Sequence, residues 1–282
     1  MTINYITKHE GTFEKKLMQG ALTSILETPQ VNWLGAKSFE LPTISVTGYK
    51  AHTRSKGYNS GTVSNDKKVY TLGFDRDVEF FVDAADVDET NQELSVANVS
   101  NTFITEHATP EVDAYRFSKI ATEAITNSHF KSEDDLSEVN IYTKLKVALL
   151  PVRKYGAQNI VVYVSSEVMD FLERSKEFTR SIATTSPQGI DTRVTSLDGV
   201  QLIEVWDDAR FKTKFDFTTS FVKAADGKDI NFLIVAKPAV IAKAKFNSIY
   251  LFAPGQHTEG DGYLYQNRLY HDLFVLETKK DG

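Results

Sequence analysis

Residues 231–275 read NFLIVAKPAVIAKAKFNSIYLFAPGQHTEGDGYLYQNRLYHDLFV. A short apolar run is broken at Pro238, a second strand follows, and a long aromatic strand closes the stretch with Tyr263, Tyr265, Arg268, Tyr270 and His271. β-branched and aromatic residues at this density, bounded by Gly and Pro, predict strands rather than helix. Between the last two strands lies GQHTEGDG, Gly255 to Gly262, which reads as a solvated hairpin loop. Glu259 and Asp261 do not make it a calcium loop, because the alternating oxygen ligands and closing Glu of that motif are missing.

A second informative stretch is PEVDAYRFSKIA, residues 110–121. Thr109 fits an N-cap, with Pro110 at the first helical position and Glu111 in the first turn. Phe117, Ile120, Ala121, Ala124 and Ile125 then form one apolar stripe. Upstream, Val96, Val99 and Phe103 repeat at helical intervals, so this region is one long helix kinked at Pro110 or two abutting helices. The pattern Tyr-x-x-Arg-x-Tyr-His-Asp at 265–272 resembles the closing strand of tailed-bacteriophage major capsid proteins, and 110–121 resembles their spine helix. The resemblance implies an α+β chain with an N-arm, an E-loop hairpin, a long spine helix, an axial A domain and a peripheral P domain. The corresponding boundaries are 1–36 for the N-terminal arm, 37–75 for the E-loop, 76–132 for the first part of the P domain with the spine helix, 133–225 for the A domain, and 226–282 for the second part of the P domain.

Outside these stretches the pattern is coarser. Phe13, Leu17, Met18, Ala21, Leu22 and Ile25 have helical spacing and predict a short amphipathic helix ending before Pro29. From Phe39 to Phe74 the runs Ile44–Val46 and Val69–Leu72 flank the polar sequence KAHTRSKGYNSGTVSNDKK, a hairpin with almost no core of its own. In the resembling family this element lies across a neighbouring subunit. Ser132 and Asp135 suggest a capping box before the stripe Ile141, Leu145, Ala148, Leu149 and Val152, which Pro151 and Gly156 should end. A buried strand over 159–164, a short helix from about Glu167, and a hairpin turning at Asp198–Gly199 complete the middle block.

A chain of 282 residues with 41% hydrophobic and 25% charged residues is ample for a sizeable core. It has no Cys, which removes disulfides, thiolate metal sites and Cys nucleophiles. The N-terminus lacks the apolar core of a signal peptide, and no run of 18 apolar residues exists. No membrane partner is expected. Histidines 9, 52, 107, 129, 257 and 271 are scattered without ligand spacing, and serine-nucleophile turns and phosphate loops are absent. The expectation is a structural protein, with no catalytic residue, cofactor or metal.

Charge is unevenly placed. The net charge of -6 argues against a generally basic surface for nucleic acid, although a container can enclose DNA without gripping it. From Lys50 to Lys68 the hairpin carries Lys50, Arg54, Lys56, Lys67 and Lys68 against Asp66, a net +4. From Asp75 to Glu93 eight carboxylates, among them Asp75, Asp77, Glu79, Asp83 and Asp86, stand against Arg76, a net -7. A hairpin tip projects away from its own base, so these two blocks are expected to meet between adjacent subunits.

The resemblance therefore implies a virion subunit, assembled in the host cytoplasm, that forms pentamers and hexamers of an icosahedral shell around double-stranded DNA without reading its sequence. Portal and scaffolding proteins would be its partners, and Met1 leads to the expectation of a separate scaffolding protein. Some relatives join an E-loop Lys to a P-domain Asn of a neighbour; Lys50, Lys56, Lys67, Lys68 and Asn247 supply such residue types without a motif that fixes their geometry. Two alternatives stand beside this reading. One is an encapsulin-type nanocompartment shell; the other is a carbohydrate-active or sugar-binding protein that uses the acidic stretch and the aromatic strand.

Overall fold

A computed structural model describes residues 19–28, 31–35, 37–52, 54, 57–89, 95–132, 135–176 and 196–282. Its hairpin strands come early in the chain. β1 (Asn32–Trp33), β2 (Ser38–Val46) and β3 (Val63–Thr71) form an antiparallel sheet in that order. β4 (Phe74–Asp83) leads into α1 (Ala84–Glu89), and α2 (Val96–Phe103) runs through a π-helical turn at Ile104–Ala108 into α3 (Thr109–Thr126).

Helix 96–126 is continuous, which corrects the reading of Thr109 as an N-cap: Thr109 is itself helical, at φ -64 and ψ -49. Pro110 has no N–H and its ring crowds the preceding turn. Widening that turn to the π form absorbs the defect without ending the helix.

The central layer is built on β5 (Ile160–Ser165), whose run Ile160–Val164 is wholly buried, as expected for a strand covered on both faces. β5 pairs in parallel with β7 (Val200–Val205) and antiparallel with β10 (Phe232–Ala236), and β6 (Ser196–Leu197) completes the order β10-β5-β7-β6. Asp198 at φ 52 and Gly199 at φ 77 supply the two left-handed residues of the tight β6–β7 turn. α4 (Ile141–Leu149) and α5 (Ser166–Arg174) cover one face through Ile141, Leu145, Leu149, Val168 and Leu172. The other face, with Val161, Tyr163 and Val235, packs on Phe117, Ile120 and Ala121 of α3.

β8 (Phe215–Asp216) and β9 (Val222–Lys223) form a small hairpin, and β11 (Val240–Phe252) and β12 (Gly262–Val275) form the long one. β12 is the middle strand of an antiparallel sheet ordered β11-β12-β4. The 231–275 stretch is thus divided: its first strand belongs to the four-stranded sheet and its last two to the three-stranded sheet. Helix 96–126 packs against one face of the latter, where Phe103 meets Phe80 at 5.4 Å and Tyr265 at 6.4 Å.

Two local expectations are corrected. Within the described part of the N-terminal arm the chain makes a 3-10 turn at Thr23–Leu26, not an α-helix; Phe13, Leu17 and Met18 lie outside the described residues. α4 begins at Ile141, well past the Ser132–Asp135 box, and Asn140 accepts a hydrogen bond from Ser137 N instead of capping the helix. Leu149 ends α4 ahead of Pro151 as the sequence predicts.

Candidate subunit interfaces

The hairpin is longer than its apolar runs suggest. β2 and β3 pair in unbroken register from Ser38↔Thr71 to Val46↔Val63, nine residues on each side. At about 3.3 Å per residue this is roughly 30 Å of two-stranded ribbon. Every described residue from Pro42 to Val69 is exposed. At the base, Phe39 is fully buried and stacks on Tyr70 at 5.6 Å, and both pack with Leu72, Ile241, Tyr270 and Phe274. The proximal third is therefore docked on the chain's own three-stranded sheet, and the remainder stands clear.

The five hairpin cations occupy different places. Lys67 and Lys68 lie on β3, not at the tip: Lys67 Nζ pairs with Glu40 at 3.0 Å, and Lys68 pairs with Glu277. That hydrogen bond holds the Glu277 carboxyl below the usual carboxylate range and raises Lys68. Lys50 Nζ donates to Ser60 O at 2.8 Å across the tip. Arg54 is also at the tip, and Lys56 lies outside the described residues. The true tip, 47–62, carries Lys50, Arg54 and Lys56 and no carboxylate.

Opposed residues of antiparallel strands share a face. On β4 the alternation puts Asp75, Asp77, Glu79 and Phe81 on the face away from the helices, beside Arg268 and Gln266 of β12 and Tyr250 of β11. Arg268 Nε and Nη2 donate to Asp75 at 3.0 and 2.6 Å, which holds the Asp75 carboxyl low and raises the guanidinium. Gln266 Nε2 donates to Glu79 at 2.5 Å. The hairpin base covers this face over Tyr270 and Phe274; beyond it Phe81 and Tyr250 remain 42% and 56% exposed. Asp83 ends β4 and accepts from Ala85 N at 2.8 Å, and Asp86 lies in the first turn of α1. The acidic stretch is thus the edge strand of a sheet with one open face.

The N-terminal segment 19–28 behaves in the opposite way. Its backbone is held by three side chains from two elements, α3 and the 3-10 turn Asp208–Arg210: Asp113 accepts from Leu22 N at 2.9 Å and Thr23 N at 3.0 Å, Arg210 Nη2 donates to Gln19 O at 2.9 Å, and Arg116 Nη1 donates to Thr23 O at 3.1 Å. Arg210 and Asp113 are fully buried and pair at 3.1 Å, with Asp207 closing the other side of the guanidinium at 2.8 Å. Buried charges are tolerated only when paired and hydrogen-bonded like this. Sequence reasoning missed this node. The available signal was Asp113, a carboxylate one turn ahead of Phe117 in the apolar stripe.

A second polar junction joins the hairpin base, α3 and β12. Asp272 accepts from Gly73 N at 2.9 Å and from the Tyr115 hydroxyl at 2.8 Å. Burial, with Asp272 alongside, pushes the Tyr115 hydroxyl far up. His271 is buried edge-on against the stacked rings of Phe74 and Tyr115, and desolvation, aided by Arg116, lowers it to about 3. Nothing here forms a nucleophile with a base. Among the described residues no group of His, Asp and Glu is placed to hold a metal ion, and no helix is long and apolar enough to cross a membrane. Asn247 lies on β11 opposite Leu269, with its side chain outside the description.

Tyr265 and Tyr270 are 1% and 3% exposed, so the aromatic strand is packed sheet and offers no stacking platform for sugars. No family model matches the sequence, and no curated protein matches it. Solved structures do. A chain of the bacteriophage PhiM1 mature capsid superposes with a TM-score of 0.64 at 14% identity, covering 96% of this chain and 89% of that one. A capsid chain of cyanophage P-SCSP1u gives 0.63 at 12% identity, over 98% and 90%. A chain from Mycobacterium phage Che8 gives 0.62 at 12% identity, over 98% and 95%. From end to end, this chain has the fold of phage capsid chains.

Proposed function

We propose that the chain is the major capsid subunit of a tailed bacteriophage and assembles into an icosahedral shell of pentamers and hexamers around double-stranded DNA. The observation that carries this reading is the near-complete, two-way coverage by capsid chains, which includes the projecting hairpin as well as the globular layers. In these terms the hairpin is the E-loop, helix 96–126 the spine helix, the four-stranded sheet with α4 and α5 the core of the A domain, and the three-stranded sheet the P domain. A ribbon exposed over its outer two thirds gains nothing for the isolated subunit, since a two-stranded hairpin is marginal alone. It makes sense as half of an interface whose other half is a neighbour.

The charge pattern gives that neighbour a face. The tip cations Lys50, Arg54 and Lys56 lack nearby carboxylates in sequence, whereas Asp75, Asp77 and Glu79 line an open sheet face. Contact between the two on adjacent subunits sets their register and speeds encounter more than it adds affinity. Scaffolding and portal proteins belong to the same proposal, as does assembly in the host cytoplasm.

The test is to purify the protein and image it by negative stain. Closed shells with five- and six-fold capsomers are expected, and particles from infected cells should contain DNA. A monodisperse monomer at every concentration, with scaffolding protein added, rejects the reading. The encapsulin alternative is not favoured by the neighbours, which include the PhiM1 and P-SCSP1u capsids; it predicts shells filled with a protein cargo and no nucleic acid.

A further inference from the structure

Residues 276–282 join the hairpin to the body built on the four-stranded sheet. Leu276 packs into the cluster at the hairpin base, and its N–H donates to Ala239 O at 2.9 Å. A 3-10 turn follows at Glu277–Lys279, and Gly282 N closes back on Lys279 O at 3.0 Å. With these internal hydrogen bonds the segment moves as one piece. Its far end is anchored in several ways. Asp281 accepts from the Tyr155 hydroxyl at 2.7 Å and pairs with Lys154, and Ala236 N, at the end of β10, donates to Gly282 O at 2.6 Å. The bonds from Lys154 and Tyr155 hold the Asp281 carboxyl below its ordinary range, so it stays charged. A Cβ at 282 would fall 2.7 Å from Ala239 Cβ and 2.9 Å from the Tyr155 ring, so only glycine lets the backbone sit this close. His129 Nδ1, just past the end of α3, donates to Lys280 O at 3.0 Å. Toward the projecting ribbon the segment offers an ion pair: Glu277 meets Lys68, whose ammonium lies over the Tyr70 ring at 5.4 Å. Lys68 opposes Leu41, where the hairpin leaves its buried base.

We propose that residues 276–282 form a latch on the hairpin: the segment is fixed to the body through Asp281 and Gly282, holds the ribbon in one direction through Glu277 and Lys68, and frees it when that pair opens. The two ends are made for these different tasks. Lys68 and Glu277 are 43% and 63% exposed, and an ion pair this open to water is weak and screened by salt. The anchored end combines a doubly bonded carboxylate, a backbone hydrogen bond and a close glycine contact, so the hairpin end gives way first. A two-stranded ribbon rooted only at its base swings, and ordering it on contact costs association free energy; holding its direction beforehand lowers that cost. The latch acts within one chain, so it stands or falls apart from the capsid reading.

The chain has no Cys, so spin labels go only where a cysteine is introduced. Ser60→Cys at the tip and Thr122→Cys on α3, both exposed positions, report the tip-to-body distance in the free subunit by double electron–electron resonance, with thermal melting as the folding control. The labelled parent is expected to give a narrow distribution at low ionic strength that broadens about twofold at 1 M salt. Glu277→Lys and Lys68→Glu should each broaden it as much at low salt, and the double exchange should restore the parent width. Asp281→Ala, which releases the anchored end and leaves the ion pair intact, should broaden it as Glu277→Lys does; Tyr155→Phe with Lys154→Ala reaches the same contact from the other side. If the double exchange does not restore the width, Glu277 and Lys68 are not the hold. If both routes to the anchored end leave the width unchanged, Glu277 does not act from a fixed segment. If every variant is as narrow as the parent, the packing of Phe39 and Tyr70 alone sets the direction of the hairpin. Each of these three results overturns the latch.

Discussion

The segment 19–28 and the hairpin 38–71 both lie outside the two main sheets, yet they are finished differently. The first has a fully buried Arg210–Asp113 pair gripping its backbone and Leu26 sunk into the core at 3% exposure. The second is exposed at every described residue from Pro42 to Val69. The difference separates what the subunit completes by itself from what it leaves for association. A segment whose peptide groups are satisfied by buried side chains belongs to the folding unit, whereas a ribbon satisfied only by its own ladder is, on the reading proposed above, half of an interface.

Deletion should expose this contrast most sharply. Removing 1–18 leaves the Asp113 and Arg210 contacts intact, and the subunit is expected to stay soluble and cooperatively folded. Removing 1–28 strips Asp113 and Arg210 of most of their backbone partners, and the product is expected to be insoluble or to lack a cooperative melt. Asp113→Ala takes one of two carboxylates from the buried Arg210 guanidinium, leaving Asp207, and removes the acceptor of the Leu22 and Thr23 N–H groups; it should cost about 3 kcal/mol by chemical denaturation. Equal stability of the two deletions would place 19–28 with the hairpin, as a segment that the fold does not need.

His271 sharpens the comparison from the buried side. Its folded-state value, near 3, is below the ordinary 6.5, so the folded protein holds it neutral while the unfolded chain takes up a proton. Its stabilising effect is complete above pH 6.5 and is lost as pH falls from 6.5 towards 3, at about 1.4 kcal/mol per pH unit. The stacked rings of Phe74 and Tyr115 lie against the imidazole, neither ring nitrogen has a hydrogen-bond partner, and the positive charge of Arg116 opposes protonation further. Between pH 8 and pH 5 the subunit should lose about 2 kcal/mol more than a His271→Phe variant does. Identical pH slopes for parent and variant would mean that the ring is hydrated.

Much of this architecture is legible in the sequence because its burial is periodic or continuous. The run 159–164 reads as a buried strand and is one from Ile160, and Asp198–Gly199 is the tight turn it reads as; of the helix stripe, Phe117, Ile120 and Ala121 are buried, whereas Ile125 at its end is exposed. The apolar runs Ile44–Val46 and Val69–Leu72 mark only part of the nine-residue arms, because Ser64, Asn65, Asp66, Lys67 and Lys68 are exposed on both faces and carry no alternation. A ladder of backbone hydrogen bonds holds them, and side-chain pattern does not encode it. The turn at Thr23–Leu26 departs from the expected α-helix because helical spacing of apolar residues cannot show that three distant side chains will compete for its peptide groups. Of the candidate contact residues, Asp75, Asp77 and Glu79 share one open face as their alternate spacing suggests. Lys67 and Lys68 belong to β3, opposite Pro42 and Leu41, and not to the tip, because the polar run that holds them is strand.

The hairpin should be nearly silent in the subunit. Replacing 48–61 by Asn-Gly, which suits a two-residue hairpin turn, is expected to change subunit stability by no more than about 1 kcal/mol. Shell formation should be lost. A large drop in melting temperature would show that the tip supports its own subunit and would collapse the distinction between the two regions.

The smallest effect tests the charges alone. Exposed pairs contribute about 0–1 kcal/mol each and are screened over about 10 Å at 0.1 M salt and about 3 Å at 1 M. Lys50→Glu with Arg54→Glu should therefore slow assembly several-fold at low ionic strength, and the deficit should shrink towards none at 1 M, with subunit melting unchanged throughout. Lys67→Glu is the contrast, because Lys67 already has an intrachain partner: it sets a carboxylate against Glu40 on the same face of the ribbon. Its effect should appear first as fraying of the hairpin in the free subunit, measured by amide exchange along β2 and β3. If the tip variant frays the hairpin, or assembles normally at low salt, the tip cations serve their own chain, and the acidic edge of the neighbouring sheet is not their partner.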